Sequence, residues 1–217
     1  MKKTIVSLAA LISAFAAYAG NGIVVTQKYN SGNSDKLITV TWYVTPTQCK
    51  LKMQYSDKDI NTNTYFIPSG AQLLTYNDGP VPSGATKAYF AIPVGSVKAQ
   101  PQGSFTVERT GETQVIAGVK CEKVIARSAN TVTEIWVSQD FKGEAYRFAQ
   151  YFKNNNELKA LADAQIPGFP VASVTRDASG NVVSSYEVLS AANTNIADSE
   201  FTVPAEYKNA ADIKTGK

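Results

Sequence analysis

From Cys49 the chain alternates strictly. Cys49, Leu51, Met53 and Tyr55 are apolar or aromatic, and Lys50, Lys52, Gln54 and Ser56 between them are polar. Side chains two apart share one face of a strand, so this stretch predicts a strand with one dry and one wet face. Such a strand is stable only within a larger sheet, and a sheet wet on one side is antiparallel. Leu37 to Thr45 repeats the pattern, with Ile38, Val40, Trp42 and Val44 opposed to Thr39, Thr41 and Tyr43. Pro46 ends it. The densest β-signal runs from Thr113 to Phe141. Val115, Ala117, Val119 and Cys121 point one way there, and Lys120 and Glu122 the other. After Ser128-Ala129-Asn130 a second strand carries Thr131, Val132, Thr133, Ile135, Trp136 and Val137.

Further strands are expected over Ile23–Tyr29, Thr62–Ile67, Ala71–Tyr76, Tyr89–Val94, Phe105–Val107, Val171–Arg176 and Val182–Leu189. Pro93 assigns the Tyr89 strand to an edge. Asp177-Ala178-Ser179-Gly180-Asn181 is a turn by composition, and Phe201-Thr202-Val203 is the expected last strand. Asn77 to Gly84 and Val97 to Gly103 read as loops. Helical spacing appears twice near residue 150. Ala145, Phe148, Ala149 and Phe152 share one face between Glu144 and Phe152. Asn154-Asn155-Asn156 then offers a cap for Glu157 to Ala164, which carries Leu158, Leu161 and Ala162.

The fold class expected is mainly β (α+β): a strongly curved antiparallel sheet, or half-barrel, with one or two covering helices. Residues 1–19 read as an export signal: Lys2 and Lys3, an apolar run from Ile5 to Ala17, then Ala17-Tyr18-Ala19. That run is short for a membrane span, and no later one matches it, so no transmembrane segment is expected. Residues 20–207 form one domain, and 208–217 a flexible tail. The expected location is the periplasm or outside the cell.

Of the 21 basic residues two lie in the signal, leaving 19 against 18 acidic ones. That balance gives no electrostatic reason to expect nucleic acid. The chain has no histidine, which removes the commonest general base and metal ligand. No metal site or cofactor is expected. Asp57 with Asp59, and Asp198 with Glu200, are the acidic pairs left for acid–base work, and they define the weakest reading, a carboxylate-dependent hydrolase. Cys49 and Cys121 admit two alternatives in an oxidising compartment: a disulfide, or two separately buried thiols.

The aromatic and thioether side chains Trp42, Met53, Tyr65, Phe66, Phe90, Trp136, Phe148, Phe152 and Phe169 admit two readings. They line an apolar pocket in the concave sheet, or they simply fill its core; apolar stripes usually pack.

Gln114-Val-Ile-Ala-Gly-Val-Lys-Cys121 and Glu134-Ile-Trp136-Val-Ser-Gln-Asp140, followed by Gly168-Phe169-Pro170 and Phe201-Thr-Val-Pro204-Ala-Glu-Tyr207, resemble an exported bacterial family, domain of unknown function 4412. The resemblance runs from about Leu51 to Lys208, with Val119 where an aromatic residue is usual. The family is similar in layout to periplasmic lipoprotein carriers of the LolA/LolB type. The resemblance implies an incomplete barrel whose concave face takes a lipid, acyl chain or other apolar ligand. The leading expectation is therefore a non-enzymatic carrier, and its alternative an envelope interaction protein with a filled core and a protein partner.

Overall fold

The computed structural model describes residues 21–31, 37–57, 60–79, 85–94, 104–139, 151 and 156–213. The expected signal, the amphipathic stretch with Phe148 and Phe152, the loop at 97–103 and Asp59 lie outside the described residues. The strands are β1 (Gly22–Ser31), β2 (Leu37–Val44), β3 (Cys49–Asp57), β4 (Ile60–Ser69), β5 (Gln72–Asp78), β6 (Ala88–Pro93), β7 (Thr106–Ile116), β8 (Val119–Arg127), β9 (Thr131–Ser138), β10 (Phe169–Asp177), β11 (Val182–Thr194) and β12 (Lys208–Asn209). Helix α1 (Asn156–Asp163) sits between β9 and β10.

All these strands form one sheet in the order β12-β6-β5-β4-β3-β2-β1-β11-β10-β9-β8-β7. Apart from β12, neighbouring strands pair antiparallel. The chain meanders from β1 out to β6, crosses to the other edge at β7, and meanders back to β11 beside β1. The sheet is open and curled rather than closed into a barrel. β3 and β8 are separated in that order by β2, β1, β11, β10 and β9. Even so, Cys49 of β3 and Cys121 of β8 belong to one buried cluster with Val25, Trp42, Leu158 and Phe169. Only strong curvature brings such distant strands to a common core.

The alternation at β2 and β3 holds in register. Val44 faces Cys49, Trp42 faces Leu51 and Val40 faces Met53. Four expectations need correction. The first strand of the central stretch is two strands, because Ala117 and Gly118 form a two-residue turn with φ of 49° and 80°. Positive φ at both positions suits the right-handed twist of a hairpin. Val115 therefore lies before the turn and is exposed, while Val119 and Cys121 beyond it are buried.

The expected strand at Phe201 is instead a 3-10 turn, Asp198–Phe201, that buries the Phe201 ring. The expected tail is ordered into the sheet at its start: Lys208 and Asn209 pair parallel with Ala88 and Tyr89 of β6. Finally, the wet face of the sheet is dry around β4 and β5. Ile67, Tyr76 and Tyr207 form a separate buried cluster there, with Tyr65, Leu74, Tyr89 and Val203 against it. The C-terminal segment covers that face. Lys50 donates to Glu200 at 2.9 Å, and the Tyr207 hydroxyl donates to the Asn77 carbonyl at 3.1 Å.

Candidate functional site

The centre of the concave face is built on Trp42. Its strand is β-branched and alternating, so the indole is turned inward against Phe169, edge to face, with ring centroids 5.8 Å apart. Phe169 opens β10 just after Gly168, which adopts φ 120°; a Cβ there would lie 2.5 Å from the Ser138 carbonyl oxygen. No other residue fits that approach, so the Gly168-Phe169 pair delivers a fully buried ring.

Beside these rings lies buried Gln27. Its Nε2 donates to the carbonyls of Pro170 and Val171, at 3.0 and 2.9 Å, and its Oε1 accepts from Trp42 Nε1 at 3.1 Å. The β9–β10 register slips between Pro170 and Ala172. The freed carbonyls of that irregularity are the ones Gln27 satisfies, as buried carbonyls require.

Helix α1 covers this floor. Its Leu158 and Leu161 are buried completely. Glu157, in its first turn, is buried too and accepts from Ser173 Oγ at 3.1 Å. Burial drives the Glu157 carboxyl above the usual carboxylate range, while the helix amide and Ser173 hydrogen bonds pull the other way. The Tyr186 and Tyr29 hydroxyls are raised by burial first and by Glu157 second. Their rings lie 5.0 Å apart.

Gln27, Trp42, Glu157, Pro170, Ala172, Ser173 and Tyr186 line a cleft with about 10 Å³ free for an occupant. That is room for roughly one water-sized group. Ligand pockets for drug-sized molecules run to about 300–1,000 Å³.

The candidate aromatics divide accordingly. Trp42 and Phe169 lie at the centre, and Met53, Phe66 and Trp136 pack around the same core, half-buried. Trp136 also lies under Lys123, whose Nζ is 5.9 Å from the ring centroid. Tyr65 is on the opposite face, stacked on Tyr76 at 4.7 Å. Phe90 is 56% exposed on β6 and does not line the cleft. Cys49 and Cys121 are buried thiols in one core, with no disulfide between them; burial pushes the Cys49 thiol far up. Glu200, a member of one acidic pair, is engaged with Lys50. Among the described residues no group of acidic, cysteine or histidine side chains could hold a metal.

Sequence reasoning passed over Glu157, Gln27 and Tyr186. A usable signal existed for the first. Glu157 and Leu161 are four apart and share the stripe that also holds Leu158, so the acid falls on the covered face of α1.

The family model for a domain of unknown function, DUF4412, matches residues 38–207. No curated protein sequence matches the chain. An uncharacterized conserved protein from Thermus thermophilus superposes at TM-score 0.51 with 10% identity, over 88% of this chain and 91% of that one. The Pseudomonas aeruginosa MucA/MucB complex gives TM-score 0.50 at 12% identity, over 87% of this chain. There the match spans only 57% of the solved chain. A putative outer membrane lipoprotein-sorting domain from Vibrio parahaemolyticus matches at TM-score 0.35 and 9% identity, over 84% and 89%, too loosely to argue from. At these identities the first two establish a shared fold and nothing about activity. Among the described residues no helix is long and apolar enough to cross a membrane.

Proposed function

The chain belongs to the DUF4412 family, and we propose that it works in the cell envelope as a non-enzymatic binding protein whose partner is another protein. The observation that carries this is the packed centre of the concave face. Trp42, Phe169, Leu158 and Leu161 are buried there, and the cleft beside them leaves about 10 Å³, far less than an acyl chain needs. The partner therefore docks on exposed surface outside that packed centre; by register Phe90 lies on the concave side, in the row Leu51-Phe66-Thr75. The 56% exposed Phe90, the 66% exposed Val115 and the 55% exposed Leu189 are the apolar groups offered there. The Pseudomonas aeruginosa MucA/MucB structure, which shares the fold, is a complex of two proteins. The absence of histidine supports a non-catalytic role. So does the lone placement of Glu157, which has Ser173 and, among the described residues, no second acid bonded beside it.

The test is photo-crosslinking in cells from Phe90, Val115 or Leu189 in turn. A single discrete protein adduct, abolished by a charged substitution beside the crosslinking position, is the expected result. A lipid adduct, or none at any position, overturns the reading.

A second reading keeps the family's carrier layout. The lining of the concave face is apolar throughout its main cluster, so an acyl chain or other apolar ligand would bind there if α1 were displaced. Under that reading a charged side chain in place of Leu158 or Trp136 lowers lipid uptake.

A further inference from the structure

The cleft at the foot of α1 has an unusual hydrogen-bonding balance. Three of its lining donors are already spent: Gln27 Nε2 donates to two backbone carbonyls, Trp42 Nε1 donates to Gln27, and Ser173 Oγ donates to Glu157, which leaves the Tyr186 hydroxyl. What the cleft still offers is acceptors. These are the Glu157 carboxyl, the remaining lone pairs of Gln27 Oε1 and Ser173 Oγ, and the Tyr186 hydroxyl, which accepts as readily as it donates. An acceptor-lined space takes a group that only donates. The free volume, about 10 Å³, admits one water-sized head. An ammonium group has that size, three donors and no acceptor. Trp42 and Tyr186 supply the aromatic walls that suit a cation.

The charge distribution points the same way. Glu157 is buried and its hydrogen-bond partners are Ser173 and helix backbone, with no basic side chain in an ion pair with it among the described residues. Burying an acid without a counter-ion is costly, and groups kept in that state concentrate at functional sites. The titratable groups that face it from neighbouring strands are Tyr29 on β1 and Tyr186 on β11, neither of them a cation.

We propose that this cleft is a binding site for a primary alkylammonium group, with the Glu157 carboxylate as its counter-ion. The ammonium pairs with the ionised carboxylate, so any proton that Glu157 holds in the free protein passes to solvent on binding. The alkyl stem leaves toward the cleft mouth. The shared chemistry has two sources, a lysine side chain of a partner protein and the amine of an aminophospholipid headgroup.

The test is titration of the whole chain, followed by the Trp42 indole N–H resonance. N-acetyl-lysine amide represents the first source, ethanolamine the second, and n-butanol is the neutral control. The expected result is a saturable shift with at least one amine and none with n-butanol. Apparent affinity rises with pH, about tenfold per unit, while Glu157 remains protonated in the free protein. Saturation by the lysine amide alone identifies a protein source, and by ethanolamine alone a lipid headgroup. Glu157→Gln, which keeps an acceptor for Ser173, should weaken binding at least tenfold and abolish its pH dependence. No saturable shift with either amine, an equal response to n-butanol, or undiminished binding by a folded Glu157→Gln variant would each overturn the proposal. Failure here leaves the crosslinking result untouched, so the two readings fall separately.

Discussion

Truncating Phe169 to alanine separates a packed interior from an open chamber. The ring is fully buried, stands edge-on to Trp42 at 5.8 Å and 80°, and belongs to the cluster that joins β1, β2, β3, β8 and α1. Removing a buried phenyl ring forfeits its transfer free energy and leaves a cavity, which together cost about 3–5 kcal/mol. The aromatic pair with Trp42 accounts for about 0.5–1.5 kcal/mol of that. Val25, Val171 and Leu158 belong to the same cluster, come from separate elements and are themselves buried. The space therefore cannot collapse cheaply, and the upper half of the range is expected. For a domain of this length that is a fall in Tm of roughly 8–20 °C. Urea unfolding of wild type and variant, followed by tryptophan fluorescence, measures it. The midpoint should drop with the slope unchanged. If the ring lined an open, solvent-filled chamber, truncation would leave little new cavity. A loss below about 1 kcal/mol would refute the packed interior.

Glu157→Gln should remove an alkaline weakness. The folded carboxyl is raised above its unfolded value, so its contribution is fully present below the unfolded pKa and is lost as pH rises through the folded one. Thermal melts from acid to alkaline pH should therefore show the wild type losing stability over that window and the variant holding flat; parallel curves would contradict the assignment. Tyr207→Phe deletes the 3.1 Å bond to the Asn77 carbonyl that helps fasten the C-terminal segment. It should cost about 0.5–1.5 kcal/mol and speed amide exchange in Lys208 and Asn209; unchanged exchange would detach that bond from the fastening. Cys49 and Cys121 should resist a thiol reagent in the native state and react together on unfolding, with an intact mass equal to the fully reduced chain. A mass lower by two hydrogens would mean that they are joined.

The sheet is legible in the sequence wherever alternation and burial are the same thing. β2 and β3 face a solvent layer and a core, so their period of two emerges directly from Ile38 to Tyr55. The helix from Glu157 is legible for the parallel reason, since its leucines repeat at helical spacing. Reading fails where backbone rather than side-chain pattern decides. Ala117 sits at φ 49°, a conformation its side chain gives no hint of, so the apolar pattern runs straight through the turn. Phe201 and Val203 are β-formers, yet they serve as side-chain anchors of a 3-10 turn and its continuation laid across the sheet. The dry second face is hidden because Tyr207, which covers the β4–β5 hairpin, comes from a distant segment, and Tyr65, Tyr76 and Tyr207 carry hydroxyls that mimic a wet surface. Of the candidate site, Trp42 and Phe169 are foreseeable as large apolar groups. Gln27 and Glu157 are not, because polar residues are ordinarily solvated, and only the register slip at Pro170 and the placement of α1 bring them inside.

The centre of the concave face is packed by the protein's own side chains, and the partner proposed for the chain is another protein. Native mass spectrometry of the chain purified from cells without detergent addresses both most directly. The expected mass is that of the chain alone, unchanged after incubation with lipid vesicles, and shifted only with the protein captured by crosslinking. A co-purifying mass that extracts into organic solvent would contradict it and restore the carrier reading.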